Sequence, residues 1–86
     1  MLKGWMVSME NLLRRITFDS NVLRGKPVIR GLRISVEMIL ELLAKGSTTQ
    51  EILEDYPMLE PQDIQAALLY AQQLVSAEIV YERTSA

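Results

Sequence analysis

The hydrophobic positions of this 86-residue chain change their period along its length. In "RITFDS", positions 15 to 20, Ile16 and Phe18 alternate with Thr17 and Asp19, a period of two that predicts a strand. "KPVIRGLRIS", positions 26 to 35, reads the same way, with Val28, Arg30, Leu32 and Ile34 on one side and Ile29, Gly31 and Arg33 on the other. Asn21, Gly25 and Pro27 lie between the two segments and favour turns. Two short strands in a loose hairpin are therefore expected. Such a pair is marginal alone and must lean on helices.

From Ser35 onward the period becomes helical. Ser35 reads as an N-cap with Glu37 in the first turn, and Val36, Ile39, Leu40 and Leu43 recur at helical spacing. Lys45 and Gly46 supply a stop, so the first of three helices is expected at 36–45. Thr48 and Glu51 form a capping box, Ile52, Leu53 and Tyr56 give a short second helix its apolar face, and Pro57 ends it. Pro61 sits at the first position of a third helix, expected at 61–77, whose stripe is Ile64, Ala67, Leu68, Ala71, Leu74 and Val75. Gln62, Gln65, Ala66, Leu69, Tyr70, Gln72 and Gln73 are expected on its outer side. "EIVYER" reads equally well as an extension of this helix or as a strand. A short second and a long third helix match a helix-turn-helix trihelical unit.

Length and composition then narrow the picture. A chain of this size makes one domain, divided here into an arm at 1–13, a hairpin plus trihelical domain at 14–77 and a tail at 78–86. Met9 opens "MENLLRRITF", which reads as a start, leaving residues 1–8 as an over-extended start or a pairing tail. With 49% hydrophobic residues and no Cys or His, stability must come from apolar packing, and a partner surface often completes so small a core. A homodimer is the expectation. No apolar run approaches the ~18–20 residues of a membrane span, and no signal peptide is visible, so a cytoplasmic protein is expected. The net charge of −2 hides a split: residues 1–46 carry +4 and residues 47–86 carry −6.

That split directs attention to Arg24, Lys26, Arg30 and Arg33, gathered around Gly25, Pro27 and Gly31. They are read either as a cluster that engages an acidic partner or as solvated charges on a structural hairpin whose glycines and proline serve the turns. For nucleic acid, Gln62 and Gln65 can read adenine from the third helix, and Arg14 and Arg15 can meet phosphate. The expected third helix carries no Lys or Arg, however, and Glu60 and Asp63 stand at its start. Leu69, Tyr70 and Gln73, together with Trp5, are candidates for a dimer interface; the competing reading has Tyr70 covering the domain's own hairpin. No nucleophile–base pair, metal-ligand spacing or phosphate-binding loop is present, so neither an enzyme, a metal site nor a cofactor is expected.

Several of these elements, in this order, resemble a known family. Gly25-Lys26-Pro27, Ile29 through Ile34, Gly46 through Leu53, Tyr56-Pro57 and Asp63 through Ala71 are similar to the pattern of the small prokaryotic family catalogued as domain of unknown function 433. Leu32 stands where Thr is frequent and Val28 where Cys often occurs, both apolar exchanges that read as core variation. The resemblance implies a mainly α fold, a three-helix homeodomain-like bundle with a short N-terminal strand pair. It also implies an antitoxin-type binding module that neutralises a PIN-like nuclease toxin, with operator DNA as a further partner. In that reading Arg24, Lys26, Arg30 and Arg33 reach the carboxylates that hold the nuclease's metal ions. The alternative is a small dimeric interaction or structural domain with no nucleic-acid role.

Overall fold

The computed structural model of the chain describes the backbone of residues 9–85 and the side chains of residues 9–76. A helical segment over residues 9–14 (α1) leads into strand β1 (Ile16–Thr17), which pairs antiparallel with β2 (Val28–Ile29) in the register Ile16↔Ile29 and Thr17↔Val28. Helices α2 (Val36–Ala44), α3 (Thr49–Asp55) and α4 (Pro61–Ser85) follow. The fold is thus mainly helical with a two-stranded antiparallel sheet. α2, α3 and α4 pack against one another, and β1 lies on α4.

Their ends obey the capping chemistry. Ser35 Oγ accepts from the Met38 N–H at 3.0 Å at the start of α2. At its end the Gly46 N–H donates to Leu43 O and the Ser47 N–H to Leu42 O, a Schellman motif that places Gly46 at φ 103°. α3 carries the full capping box: the Glu51 N–H donates to Thr48 Oγ1 at 3.1 Å and the Thr48 N–H to Glu51 Oε1 at 2.8 Å. Thr48→Ala is expected to cost about 1 kcal/mol, read as a lower urea midpoint with an unchanged slope. An equal midpoint in the two proteins would show that the box adds nothing to stability.

Ile16, Ile29, Ile34, Val36, Ile39, Ile52, Leu59, Ile64, Ala66 and Ala67 form the core, so strand, helix and loop residues share one apolar interior. Complete burial of an isoleucine such as Ile29, Ile39 or Ile52 contributes about 1.5–3 kcal/mol.

The structure departs from the hydrophobic pattern in three places. The expected second strand stops at Ile29, where the chain reverses: Arg30 (φ 45°) and Gly31 (φ 71°) occupy the centre of a tight turn closed by the Leu32 N–H donating to Ile29 O at 2.7 Å. Val28 then bridges Ser35, so a second small hairpin follows β2 and buries Val28, Ile29 and Ile34 together. Two consecutive positive φ values suit a hairpin turn whose twist matches the strands, which an alternating pattern cannot reveal. On α4, Ala66 is completely buried rather than outward, because α2, α3 and β1 all pack on this helix. The third departure is length: α4 runs to Ser85, through the expected boundary at 77, so "EIVYER" is helix.

Candidate partner-binding site

The charged residues of the hairpin divide into a committed group and an available group. Asp63, third residue of α4, is fully buried, yet every polar atom of its side chain is satisfied. Arg30 grips it with Nε 3.1 Å from Oδ1 and Nη2 3.0 Å from Oδ2, and the same Nη2 donates to Met58 O at 2.8 Å. Arg15 Nη1 donates to Asp63 Oδ1 at 2.9 Å and to Glu60 Oε1 at 2.7 Å. The Glu60 N–H completes the set, donating to Asp63 Oδ2 at 2.8 Å, so the carboxylate also caps the helix it belongs to.

Backbone geometry aims these groups. Arg15 and Arg30 face each other across the sheet end, where the Arg30 N–H donates to Arg15 O at 2.7 Å and the Gly31 N–H to Thr17 Oγ1 at 2.8 Å. The left-handed φ of Arg30, uncommon for a residue with a side chain, belongs to the turn from which its guanidinium reaches over the N-terminus of α4. Arg30 is therefore part of the fold, and the expectation that it stands free for a partner fails. Lys26 pairs on the surface with Glu37 at 3.0 Å, a contact exposed on both sides and weak for that reason.

Burial pushes the Asp63 carboxyl up, but hydrogen bonds from Arg30, the Glu60 N–H and Arg15 outweigh it and hold the group below the usual carboxylate range. The hydrogen bond to Glu60, then that to Asp63, raises the pKa of Arg15, and the bond to Asp63 raises that of Arg30. A depressed carboxylate contributes stability that is complete above its unfolded value of about 3.9 and is lost as pH falls through the folded value. Urea midpoints followed downward from pH 5 are expected to drop below pH ~4 in the natural chain. The drop should be smaller in Asp63→Asn; equal acid limbs in the two proteins would remove Asp63 as the cause.

The available group lies on the loop before β2. Leu23 (φ 47°), Arg24 (φ 59°) and Gly25 (φ 80°) are three successive left-handed residues, two of them with side chains. Their turn is held by the Gly25 N–H on Val22 O and the Lys26 N–H on Leu23 O. Beside it lies a groove of about 300 Å³ lined by Leu23, Arg24, Lys26 and Ser35. Arg24 is exposed, as is Arg33, and neither has a carboxylate partner among the described residues. The arrangement offers cations, one hydroxyl and an apolar wall, a set that suits a carboxylate on a protein surface.

The remaining candidates are spread more widely. Arg15, Gln62 and Gln65 line a second cleft of about 320 Å³ with Asn11 and Leu12, but Arg15 is already held by two carboxylates there. Arg14 is exposed on α1. Tyr70 is half-buried on the core with its ring 6.1 Å from that of Phe18, Leu69 is half-buried and Gln73 is exposed. Trp5 lies outside the described residues. No group of three metal-ligating side chains occurs among the described residues. No described helix is long and apolar enough to cross a membrane.

Residues 16–71 match the family described as Protein of unknown function (DUF433). The chain belongs to this family. The matched span runs from β1 to the middle of α4 and so contains the Arg30–Asp63 pair, the left-handed turn and the groove. A relative, "Uncharacterized protein y4eO" of Sinorhizobium fredii (strain NBRC 101917 / NGR234), is 33% identical over 57 residues. That stretch covers 66% of this chain but 26% of the relative, so the chain spans about a quarter of the length of the curated protein it matches. No solved structure matches the chain.

Sequence reasoning passed over Asp63 as an ordinary first-turn acid. The one signal was that Asp63 opens the last of the elements resembling the family. Ser35 and Leu23 also escaped notice as groove residues, because a cap and a loop leucine carry no mark of a site.

Proposed function

We propose that this DUF433 chain is an antitoxin-type binding module that neutralises a PIN-like nuclease. The observation that carries the reading is the groove at Leu23, Arg24, Lys26 and Ser35, where cations with at most a weak surface partner gather on a backbone held in a costly conformation. Left-handed residues with side chains cost about 1–3 kcal/mol each and persist where the surrounding structure overdetermines them, commonly at binding sites. Clustered carboxylates that hold metal ions are a natural counterpart for such a surface, since a guanidinium can pair with a carboxylate through two parallel hydrogen bonds. Arg24, Lys26 and Arg33 are the contacting residues in this proposal; Arg30 acts by holding the hairpin on α4. The α2–α3–α4 unit is read as homeodomain-like.

Operator DNA is the weaker partner. α4 has one basic residue, Arg83, and the two arginines at its start, Arg15 and Arg30, are already paired with Glu60 and Asp63, which leaves little positive charge on this helix for phosphate. A purely structural or interaction domain is the remaining alternative. Co-expression of the tagged chain with the product of a neighbouring nuclease gene, followed by affinity capture and a cleavage assay, tests the proposal. A captured complex with suppressed cleavage supports it. A nuclease that is neither captured nor inhibited defeats it and leaves the interaction-domain reading standing.

A further inference from the structure

Ser35 belongs to two structures at once. It is the N-cap of α2, where its Oγ accepts from the Met38 N–H at 3.0 Å, and it lines the groove with Leu23, Arg24 and Lys26. A serine hydroxyl carries one donor besides its acceptor lone pairs. The cap engages a lone pair only, and the hydroxyl hydrogen has no acceptor among the described residues. The backbone holds this group in a fixed relation to the cations. The Val36 N–H donates to Pro27 O at 3.0 Å and Val28 bridges Ser35, which ties the start of α2 to the segment carrying Arg24 and Lys26. A carboxylate already stands at the rim: Glu37 Oε1 lies 3.0 Å from Lys26 Nζ. Both side chains of that pair are exposed, so an incoming carboxylate can displace it at little cost.

We propose that Ser35 is the specificity-determining residue of the groove, its hydroxyl donating to a partner carboxylate that Arg24 and Lys26 attract by charge. The inference rests on the reading of the groove as a partner surface and names the residue that makes it selective. Arg24 and Lys26 steer any acidic surface toward the loop, because charge acts at a distance. A hydroxyl locked by its own cap adds a directional bond, and a bond to an ionised acceptor is roughly twice as strong as a neutral one. The same geometry couples the groove to the helix. When the hydroxyl donates to a carboxylate, its oxygen becomes a better acceptor, so the bond from the Met38 N–H strengthens. Occupation of the groove is thereby felt at the first turn of α2.

Nuclear magnetic resonance of the isotopically labelled full chain, titrated with an oligoglutamate peptide at low salt, tests the role of Ser35. The peptide is expected to move the amide signals of Leu23 to Lys26 and to shift the Met38 amide proton downfield, the mark of a shorter hydrogen bond. Position 35 has extended backbone (φ −83°, ψ 155°), which glycine, threonine and aspartate all adopt. Ser35→Gly keeps a tolerated N-cap without the hydroxyl. It should bind about tenfold more weakly at a nearly unchanged urea midpoint, with Met38 no longer responding. Ser35→Asp keeps a strong cap but sets a carboxylate beside the cations, so the fold should persist and binding should be lost. Ser35→Thr retains the hydroxyl and should bind as the natural chain does. Equal affinity of Ser35→Gly and the natural chain for oligoglutamate overturns the proposal, as does a natural chain whose Met38 signal ignores the peptide. Nuclease capture is read separately. A chain that passes the peptide test and captures no nuclease supports the role of Ser35 and retires the nuclease reading. Equal capture by the natural chain and Ser35→Gly keeps that reading and overturns the role of Ser35.

Discussion

Alanine in place of Arg30 is expected to lower stability by about 3 kcal/mol, the low end of the cost of stranding one member of a buried ion pair. Asp63 is completely buried and would keep only Arg15 and the Glu60 N–H as partners. The low end applies because the Arg30 side chain is 36% exposed and solvent screens its part of the pair. For a domain of this size that loss moves the melting temperature by roughly 12–24 °C. Arg30→Gly separates the two roles of the residue. It removes the same guanidinium but suits the left-handed backbone at φ 45°, and should recover about 1 kcal/mol relative to Arg30→Ala. Urea denaturation of the three proteins measures both quantities. A melting temperature for Arg30→Ala within a degree or two of the natural chain would return Arg30 to the surface charges. Equal stabilities for alanine and glycine would show that the turn stores no strain.

The largest effect on binding is expected from reversing charge in the groove. Arg24→Glu combined with Lys26→Glu replaces two attractive contacts with like-charge contacts against a carboxylate-rich partner. Each such juxtaposition costs several kcal/mol, so affinity for the nuclease should fall by more than a hundredfold. The melting temperature should stay nearly unchanged, because Arg24 has no ion pair among the described residues and Lys26 has an exposed one. Titration calorimetry against the nuclease, run beside thermal unfolding, distinguishes a contact from a scaffold. A variant that unfolds early shows the groove to be structural, and one that binds as tightly as the natural chain places the contact elsewhere. The parallel reversal at Arg30 cannot serve this purpose, since its loss of stability would obscure any loss of binding.

Much of the secondary structure was legible in the residues themselves. The helices of the hairpin-plus-trihelical reading start where Ser35, Thr48 and Pro61 announce them, and α2 ends at its glycine, because capping is decided by a few neighbouring side chains. The reversal at Arg30–Gly31 was not legible. Val28, Ile29 and Ile34 are all apolar, and only their joint burial distinguishes a tight hairpin from a continuing strand. The partition of the cations was equally hidden. Arg24, Lys26, Arg30 and Arg33 look alike in the chain, and Asp63 lies 33 positions from Arg30, a separation across which sequence carries no distance.

The sequence by itself therefore determined where helices begin, that the interior is aliphatic, that positive charge collects at the amino-terminal half and that the middle of α4 is neutral. Tertiary structure alone decided which cations are spent within the fold and which have no carboxylate partner among the described residues. Local capping depends on residues within one turn, whereas the pairing of Arg15 and Arg30 with Asp63 exists only once the hairpin packs over the start of α4. Tertiary structure also decided that Leu68, Leu74 and Val75, which read as core, are half exposed. A helical stripe states which side of a helix is apolar, but the other elements set how far along that side the core extends.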